Sequence, residues 1–187
     1  LESGFAISGT DEAAPGSVNW SYTVNDADLD FLAKDETITL TVTVTVTDSA
    51  GATATDDVTI TITGTNEDPA ITAGIADFGF SEVADASAQN LSNTGTLSFD
   101  DIDNTDVIDV THEVLTAAVW SGGTIDGDLK TLLEAGFAIS GTDEAAPGSV
   151  NWTYTVNDAN LDFLAEGETI TLTYRVTVTD NNGATAT

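Results

Sequence analysis

The stretch with the most evident chemistry is SFDDIDNTD, residues 98–106, which places four aspartates within seven residues. Two carboxylates about 4 Å apart repel each other by roughly 1 kcal/mol in water, and by several kcal/mol at an effective dielectric near 20. A calcium ion reverses the sign, because it takes roughly six to eight oxygen ligands from carboxylates, amides and backbone carbonyls. A chain rich in Asp and Asn, with no Cys and one His, suits such a hard cation better than zinc or copper.

The composition excludes several classes of partner. The chain has 187 residues, 32 acidic and only three basic side chains, and a formal net charge of -29. Nucleic acids and anionic membranes attract basic surfaces, so neither is an expected partner. The apolar share of 41% nevertheless predicts a folded chain. No apolar run is long enough to span a membrane, and the N-terminus lacks the features of a signal peptide.

The chain contains a long internal repeat. Residues 1–55 return at 133–187 with a constant offset of 132 and differ at only nine positions. This period is too long for a solenoid unit and fits a complete domain in a tandem array. The junction is predicted at GTNEDPAI, residues 64–71, because Pro69 cannot donate to a sheet. Residues 1–66 are therefore predicted to be the C-terminal half of one repeat, and 67–187 a second repeat that lacks its final strand.

Strict alternation of apolar and polar residues predicts the strands. In ETITLTVTVTVTD, residues 36–48, the apolar residues share one face and threonines occupy the other. The copy repeats this pattern at 168–180, and further alternating runs begin at Val18, Val58 and Ile108. About seven antiparallel strands in roughly 120 residues indicate an all-β fold of tandem immunoglobulin-like, Greek-key β-sandwiches.

Helix is predicted only in short segments. The candidates are DADLDFLA at 26–33, its copy at 158–165, and DGDLKTLLEAG at 126–136. Asp26 and Asp158 are predicted to be N-caps, because aspartate is favoured at that position. GGTIDGDLK, residues 122–130, is interpreted as a turn that leads into the third helix.

The sequence gives no indication of catalysis, and the chain is not expected to be an enzyme. His112, the single histidine, lies on the apolar side of its predicted strand, which favours a core or interface position. No serine stands in a nucleophile-elbow motif, and no small-molecule substrate is expected. Trp20 and Trp152 are predicted to lie in the core, whereas Trp120 is the one tryptophan predicted to be exposed.

The run FLAEGETITLTYRVTVTDNNGATAT, together with DDVTITITGTNEDPAI, resembles the VCBS or cadherin-like repeats of large bacterial adhesins of the RTX type, exported by type I secretion. The resemblance covers essentially the whole chain. It implies an extender module that calcium stiffens at its junctions with neighbouring repeats of the same chain. It also implies an extracellular location at the bacterial cell surface, and a role in adhesion and biofilm formation.

The resemblance implies calcium ligands at the base of each repeat. Asp30 and its copy Asp162, both in LDF, match a leucine-aspartate-aromatic stretch that supplies a ligand in that family. The acidic residue that follows in cadherins is absent here. Glu36 and Glu168 are the candidate substitutes.

Further ligands are implied in the linker and at the top of the next repeat. NEDP, residues 66–69, resembles the cadherin Asn-Asp-Asn-x-Pro linker with one residue fewer. Asp101 and Asp103 resemble the Asp-x-Asp pair, Asp180 the aspartate before a late turn, and Glu82 the glutamate of an early loop. The complete candidate set is Asp30, Asn66, Glu67, Asp68, Glu82, Asp101, Asp103, Asp162 and Asp180.

Two alternatives stand beside this interpretation. Asp48 and Asp180 could serve only their own hairpin turns, as aspartate often does. Asp100 and Asp106 are predicted to be solvated or turn-capping neighbours rather than ligands.

At the level of function, the alternative to an extender is a β-sandwich module of the same kind of surface protein that itself binds carbohydrate, protein or ice.

Overall fold

The computed structural model describes residues 1–9, 13–84, 89–141 and 143–187. The chain divides into two compact units, Leu1–Asn66 and Glu67–Thr187, here called the first and the second unit. Within the described residues the strands are β1 (Phe5–Ser8), β2 (Asn19–Tyr22), β3 (Thr37–Thr47), β4 (Thr53–Thr63), β5 (Ala70–Ala73), β6 (Asn90–Asp100), β7 (Val107–Trp120), β8 (Phe137–Ser140), β9 (Asp143–Ala145), β10 (Gly148–Asn157), β11 (Ile170–Thr179) and β12 (Thr185–Ala186). The all-β prediction is confirmed.

The second unit consists of two four-stranded antiparallel sheets. One has the strand order β5-β6-β10-β8 and the other β12-β11-β7-β9. Strand β10 pairs with β6 along its whole length, from Gly148 opposite Phe99 to Asn157 opposite Asn90. Strands β11 and β7 pair with two register shifts around Thr173, which mark a bulge.

The core of the second unit is formed by the inward faces of both sheets. One cluster contains Phe137, Trp152 and Tyr154, together with Leu133 of the helix. The other contains Leu97 and Phe99 of β6 beside Val110, Val150 and Val178. Along β10 every second residue from Val150 to Val156 is buried. The period of two in the sequence is therefore the period of burial.

The first unit contains two separate hairpin-like pairs. Strand β1 pairs with β2, and β3 pairs with β4 from Thr37 opposite Thr63 to Thr47 opposite Thr53. From Ile38 to Val44 of β3 and from Val58 to Ile62 of β4 the apolar residues on one face are half-buried, whereas the threonines on the other face are exposed. Val46, near the end of β3, is 55% exposed.

One of the predicted helices is confirmed, whereas the other two predicted segments form only short 3-10 turns. An α-helix, α1, spans Gly127–Glu134, and the Asp126 side chain caps it by accepting the Asp128 N–H. The segments at 26–33 and 158–165 form only single 3-10 turns, Asp26–Asp28 and Asp158–Asn160. A third 3-10 turn spans Glu2–Gly4.

The predicted N-caps of the 3-10 turns were wrong by one residue. Asn25 and Asn157 precede the turns as N-caps, and the Asn157 side chain accepts the Ala159 N–H at 3.1 Å. Asn157 takes this position because the strand conformation continues through it and an amide oxygen caps as well as a carboxylate does. Asp158 is thereby directed inward and is fully buried.

The predictions for the aromatic side chains and the histidine had mixed outcomes. Trp152 is buried, but Trp20 is 53% exposed, so its predicted core position was wrong for the first unit. Trp120 is half-buried, and its indole N–H donates to Glu168 Oε2 at 3.2 Å. His112 is exposed, although its ring meets that of Phe137 edge-on at 5.2 Å. It lies on the same face of β7 as the buried Ile108 and Val110.

Within the described residues, the helices are all too short or too polar for a membrane crossing.

Candidate metal site

Three of the clustered aspartates lie in the turn that joins β6 to β7, and side-chain hydrogen bonds shape that turn. The Asp101 N–H donates to Asp100 Oδ1 at 2.9 Å, and the Asp103 N–H donates to Asp101 Oδ1 at 3.1 Å. The Asp106 N–H donates to the Asp103 carbonyl oxygen at 3.1 Å. Asp100 itself stays exposed and caps the turn, as predicted. These bonds fold the chain into a tight turn that contains Asp101, Asp103 and Asp106.

Asp180 reaches the same place from the hairpin between β11 and β12. Its Oδ1 accepts the N–H groups of Asn182 at 2.8 Å and Ala184 at 2.9 Å. In the first unit, Asp48 Oδ1 holds the equivalent hairpin with bonds of 2.9 and 2.8 Å. The local role proposed for these two aspartates is therefore present. It employs one carboxylate oxygen and leaves Asp180 beside the other acids.

Asp101, Asp106 and Asp180 form a buried group that we call the Asp triad. Each offers a carboxylate oxygen, and these three oxygens lie within 4.8 Å of one another. Oxygens bound to one calcium ion at roughly 2.3 to 2.6 Å can be at most about 5 Å apart, so this separation fits a shared ion. The side chains are only 7%, 2% and 5% exposed.

Two oxygens of the Asp triad have no hydrogen-bond donor. Asp101 Oδ2 and Asp106 Oδ1 are both buried and without a partner. Leaving such groups unsatisfied is costly, and native proteins generally pair them. Within the described residues the one ion pair joins Arg175 to Glu113 on the surface, so no basic side chain neutralises the Asp triad. A bound cation would satisfy both requirements.

An asparagine pair borders the Asp triad. The Asn182 side chain donates from Nδ2 to Asp106 Oδ2 at 3.1 Å, and Asn181 Oδ1 accepts the Val107 N–H at 3.0 Å. These bonds connect the β11–β12 hairpin to the start of β7. The first copy carries Ser49 and Ala50 at the two equivalent positions, so the amides are specific to this copy.

Asp103 lies next to the Asp triad and connects it with the start of the second unit. It is fully buried, and its Oδ2 accepts the Glu67 N–H at 3.1 Å. Its Oδ1 is buried without a hydrogen-bond partner. Asp103 therefore holds the linker residue Glu67 through the backbone and has a second oxygen available for a cation.

The electrostatics of the turn favour uptake of a positive charge. Burial is the main reason that the pKa of Asp101, Asp103 and Asp106 is raised above its ordinary value. The neighbouring carboxylates raise it further, including Asp180 in each case and Glu67 for Asp103. Hydrogen bonds from backbone and amide N–H groups act in the opposite direction but do not reverse the shift.

The remaining predicted ligands are not members of the Asp triad. Asp30 and Asn66 belong to the first unit, where both are half-buried. Asp68 follows Glu67 but is exposed. Glu82 and Asp162 lie outside the Asp triad, with Glu82 half-buried and Asp162 exposed.

Glu82 lies toward the opposite end of β6 from the aspartate turn. Its neighbour Val83 donates its N–H to Asp158 Oδ1 at 3.0 Å, and Asp158 directly follows the pair of Asn157 with Asn90, the first residue of β6. Eleven residues of strand correspond to about 35 Å. Glu82 is therefore remote from the aspartate turn, and its role as a ligand stays a prediction.

The two candidate substitute ligands at the base each have a local role. Glu36 Oε2 accepts the Ala33 N–H at 3.2 Å, and Glu168 Oε2 accepts the Ala165 N–H at 2.9 Å. Both glutamates thus close the turn before their strand. Glu168 also accepts the Trp120 indole N–H, as described above.

Asp106 is the residue that sequence reasoning assigned wrongly. It was expected to be a solvated or capping neighbour, but it is 2% exposed and belongs to the Asp triad. The reason is the tightness of the turn: the Asp106 N–H bond to Asp103 returns the chain inward just before β7 begins. The signal that could have found it is the period of two: Asp106 precedes the buried Ile108 and Val110 by two and four residues and so continues the inward face of β7.

Comparisons of the chain with protein-family models, with curated proteins and with solved structures found no match.

Proposed function

We propose that the chain is a calcium-dependent extender module of a bacterial cell-surface adhesin, made of tandem immunoglobulin-like repeats with Greek-key topology. The observation that carries the proposal is the Asp triad: three buried acids at ligand separation, two of them with an unpartnered oxygen. The 132-residue repeat and the family resemblance described above supply the extender part.

The proposed mechanism couples the ion to the segment that follows Asn66. Without calcium, the carboxylates of the β6–β7 turn repel one another, and the turn is under electrostatic strain. With calcium, Asp101, Asp106 and Asp180 share the charge of the ion, and Asp103 keeps its bond to the Glu67 N–H. The start of the second unit then becomes a fixed rather than a hinged point. This is how calcium would stiffen a row of such repeats and project a distal ligand-binding region.

Calcium titration tests the site. Isothermal titration calorimetry of the chelator-treated protein should show saturable binding, with a dissociation constant of about 10⁻⁴ to 10⁻³ M as in other extracellular calcium modules. Asp101→Asn should weaken that binding, whereas the exposed Asp109→Asn should not. Absence of saturable heat together with an unchanged melting temperature would overturn the calcium site.

Small-angle scattering tests the extender role separately. The maximum dimension of the full chain should become longer and better defined when calcium replaces chelator. Calcium binding without any change in the scattering profile would leave a metal site but refute the stiffening mechanism. Saturable binding to a glycan panel would favour the alternative of a ligand-binding module.

A further inference from the structure

The hairpin that carries Asp180 also carries the one Asn-Gly step of the sequence, Asn182 followed by Gly183. An asparagine before a glycine deamidates readily, because glycine has no side chain to obstruct the attack of its backbone nitrogen on the preceding side-chain amide. The first copy has Ala50 before Gly51 at the equivalent positions, so the reactive pair is specific to the second copy.

The hairpins of the two copies have the same backbone geometry. Gly51 and Gly183 have φ values of +87° and +96°, and their N–H groups donate to the carbonyl oxygens of Asp48 and Asp180 at 3.0 and 3.3 Å. A Cβ built on either glycine would meet no atom within 4 Å. Residues 48–52 are exposed although the chain continues along the whole of β4, so the exposure of Gly183 and its preceding asparagine is a property of the hairpin itself.

The side-chain amide of Asn182 is held at the edge of the Asp triad. Its Nδ2 donates to Asp106 Oδ2 at 3.1 Å, and its backbone N–H donates to Asp180 Oδ1 at 2.8 Å. For the Gly183 nitrogen to attack, the Asn182 side chain must turn toward its own backbone and leave Asp106. The Gly183 N–H must also leave the Asp180 carbonyl oxygen. The folded hairpin thus restrains both reacting groups, and local opening releases them together.

We propose that Asn182 is a modification site, which deamidates at a rate set by opening of the hairpin and thereby adds one more carboxylate beside the Asp triad. The Gly183 nitrogen forms a bond to Cγ of Asn182, the Cγ–Nδ2 bond breaks, and ammonia leaves with the proton of the Gly183 N–H. Water then opens the resulting succinimide ring at either of its carbonyl carbons. The product is aspartate, or isoaspartate if the main chain continues through the former side chain.

Either product changes the surroundings of Asp106. The reaction removes the Nδ2 donor and adds a negative charge at residue 182, so Asp106 Oδ2 loses its hydrogen bond and gains a repelling neighbour. Isoaspartate also lengthens the main chain of the hairpin by one carbon atom, which displaces the Ala184 N–H from Asp180 Oδ1. The metal-free second unit should therefore lose stability as the protein ages.

Ageing of the full chain in chelator at neutral pH, followed by peptide mapping with mass spectrometry, tests the site. The segment with Asn182 should gain the mass of one amide-to-acid conversion and separate into aspartate and isoaspartate forms, ahead of every other asparagine. A peptide of residues 179–185 gives the rate of the unrestrained sequence. Conversion in the full chain should be measurable but about 10- to 100-fold slower than in the peptide, since opening of an exposed hairpin costs little.

A pair of variants isolates the restraint by Asp106. Asp106→Asn and Asp106→Ala remove the same charge, but only Asp106→Asn keeps an oxygen that can accept the Asn182 amide. Conversion of Asn182 should be about 3- to 10-fold faster in Asp106→Ala than in Asp106→Asn, because one hydrogen bond fewer opposes opening. Equal rates in the two variants would overturn the proposal.

The consequence of the reaction is measured on Asn182→Asp, which carries the aspartate product from the start. Its melting temperature in chelator should be about 2 to 6 °C below that of Asn182→Ala, since alanine removes the donor without adding a charge. The melting temperature of the ageing protein should fall in step with its conversion. A melting temperature of Asn182→Asp equal to or above that of Asn182→Ala would overturn the proposal. So would an unaltered Asn182 in a full chain aged until the peptide has converted many times over.

Discussion

Replacing Asp106 by asparagine should stabilise the second unit in chelator and reduce the additional stabilisation that calcium provides. Asparagine has nearly the same shape as aspartate, and its carbonyl oxygen can still accept the Asn182 amide that Asp106 Oδ2 now accepts. The substitution removes one negative charge from the Asp triad. In chelator that charge is a cost, whereas in calcium it is a ligand.

The cost in chelator can be estimated from the geometry. Two unit charges 4.8 Å apart repel by about 3.5 kcal/mol at an effective dielectric of 20, and Asp106 has two such neighbours in the Asp triad. A carboxyl avoids this repulsion by binding a proton, which costs at most about 5 kcal/mol at pH 7.5 from its ordinary pKa. Because the turn also relaxes, we expect Asp106→Asn to stabilise the metal-free unit by about 1 to 3 kcal/mol. The melting temperature should rise by roughly 4 to 10 °C.

The loss in calcium follows from mass action. A ligand that binds only the folded state stabilises it by RT ln(1 + [L]/Kd). If the substitution weakens a Kd of about 10⁻⁴ M by about 30-fold, the stabilisation at about 10 mM calcium falls from about 2.7 to about 0.9 kcal/mol. The calcium-dependent increment in melting temperature should shrink accordingly.

Differential scanning calorimetry in chelator and in about 10 mM calcium chloride measures both effects on the same protein. Asp109→Asn is the matched control, because it removes the same charge from an exposed position of β7. A lower melting temperature of Asp106→Asn in chelator, or a calcium increment equal to that of the control, would refute the assignment of Asp106 to a cation site.

Three further predictions concern the same unit. In chelator the melting temperature should fall as pH rises from about 4 to 8. The pKa of Asp101, Asp103 and Asp106 is raised in the folded state, so above their ordinary pKa the folded state binds more protons than the unfolded chain. A flat or rising profile would contradict this. Asn182→Ala, the residue of the first copy, should weaken calcium binding about 3- to 10-fold by calorimetry and lower the chelator melting temperature, because the buried Asp106 Oδ2 loses its donor; unchanged affinity would show that the amide does not position Asp106. Gly95→Val in the full chain should destabilise the second unit by about 2 kcal/mol or more in urea denaturation, through its clash with the buried indole; a neutral result would contradict the packing.

The strands could be predicted from the sequence because their signal is local. A period of two in apolar residues defines β3 and β11 without any knowledge of the partner strands. Helix α1 could also be predicted from local sequence, since Asp126 stands at its N-cap and leucines recur in the residues that follow. In each case the residues that decide the structure are within a few positions of one another.

Burial of the acids could not be predicted in the same way. Asp106 and Asp180 are 74 residues apart, and their approach depends on the pairing of β11 with β7. Asp30 and Asp162 both stand in the segment LDFLA, yet one is half-buried and the other exposed. The exposed fractions of Trp20 and Trp152 differ more strongly, at 53% and 6%. Local sequence is nearly the same within each of these pairs, so it does not predict which member is buried.

The hairpin at residues 180–184 has a consequence for how fast a cation could exchange. Its aspartate is held by the same two backbone bonds as the hairpin at 48–52, so local sequence alone sets its geometry. A cation that arrives at the Asp triad then meets one ligand that needs no rearrangement, and capture does not wait for a loop to close. If the Asp triad binds calcium as proposed, the rate of ion capture should therefore not be limited by closure of this hairpin.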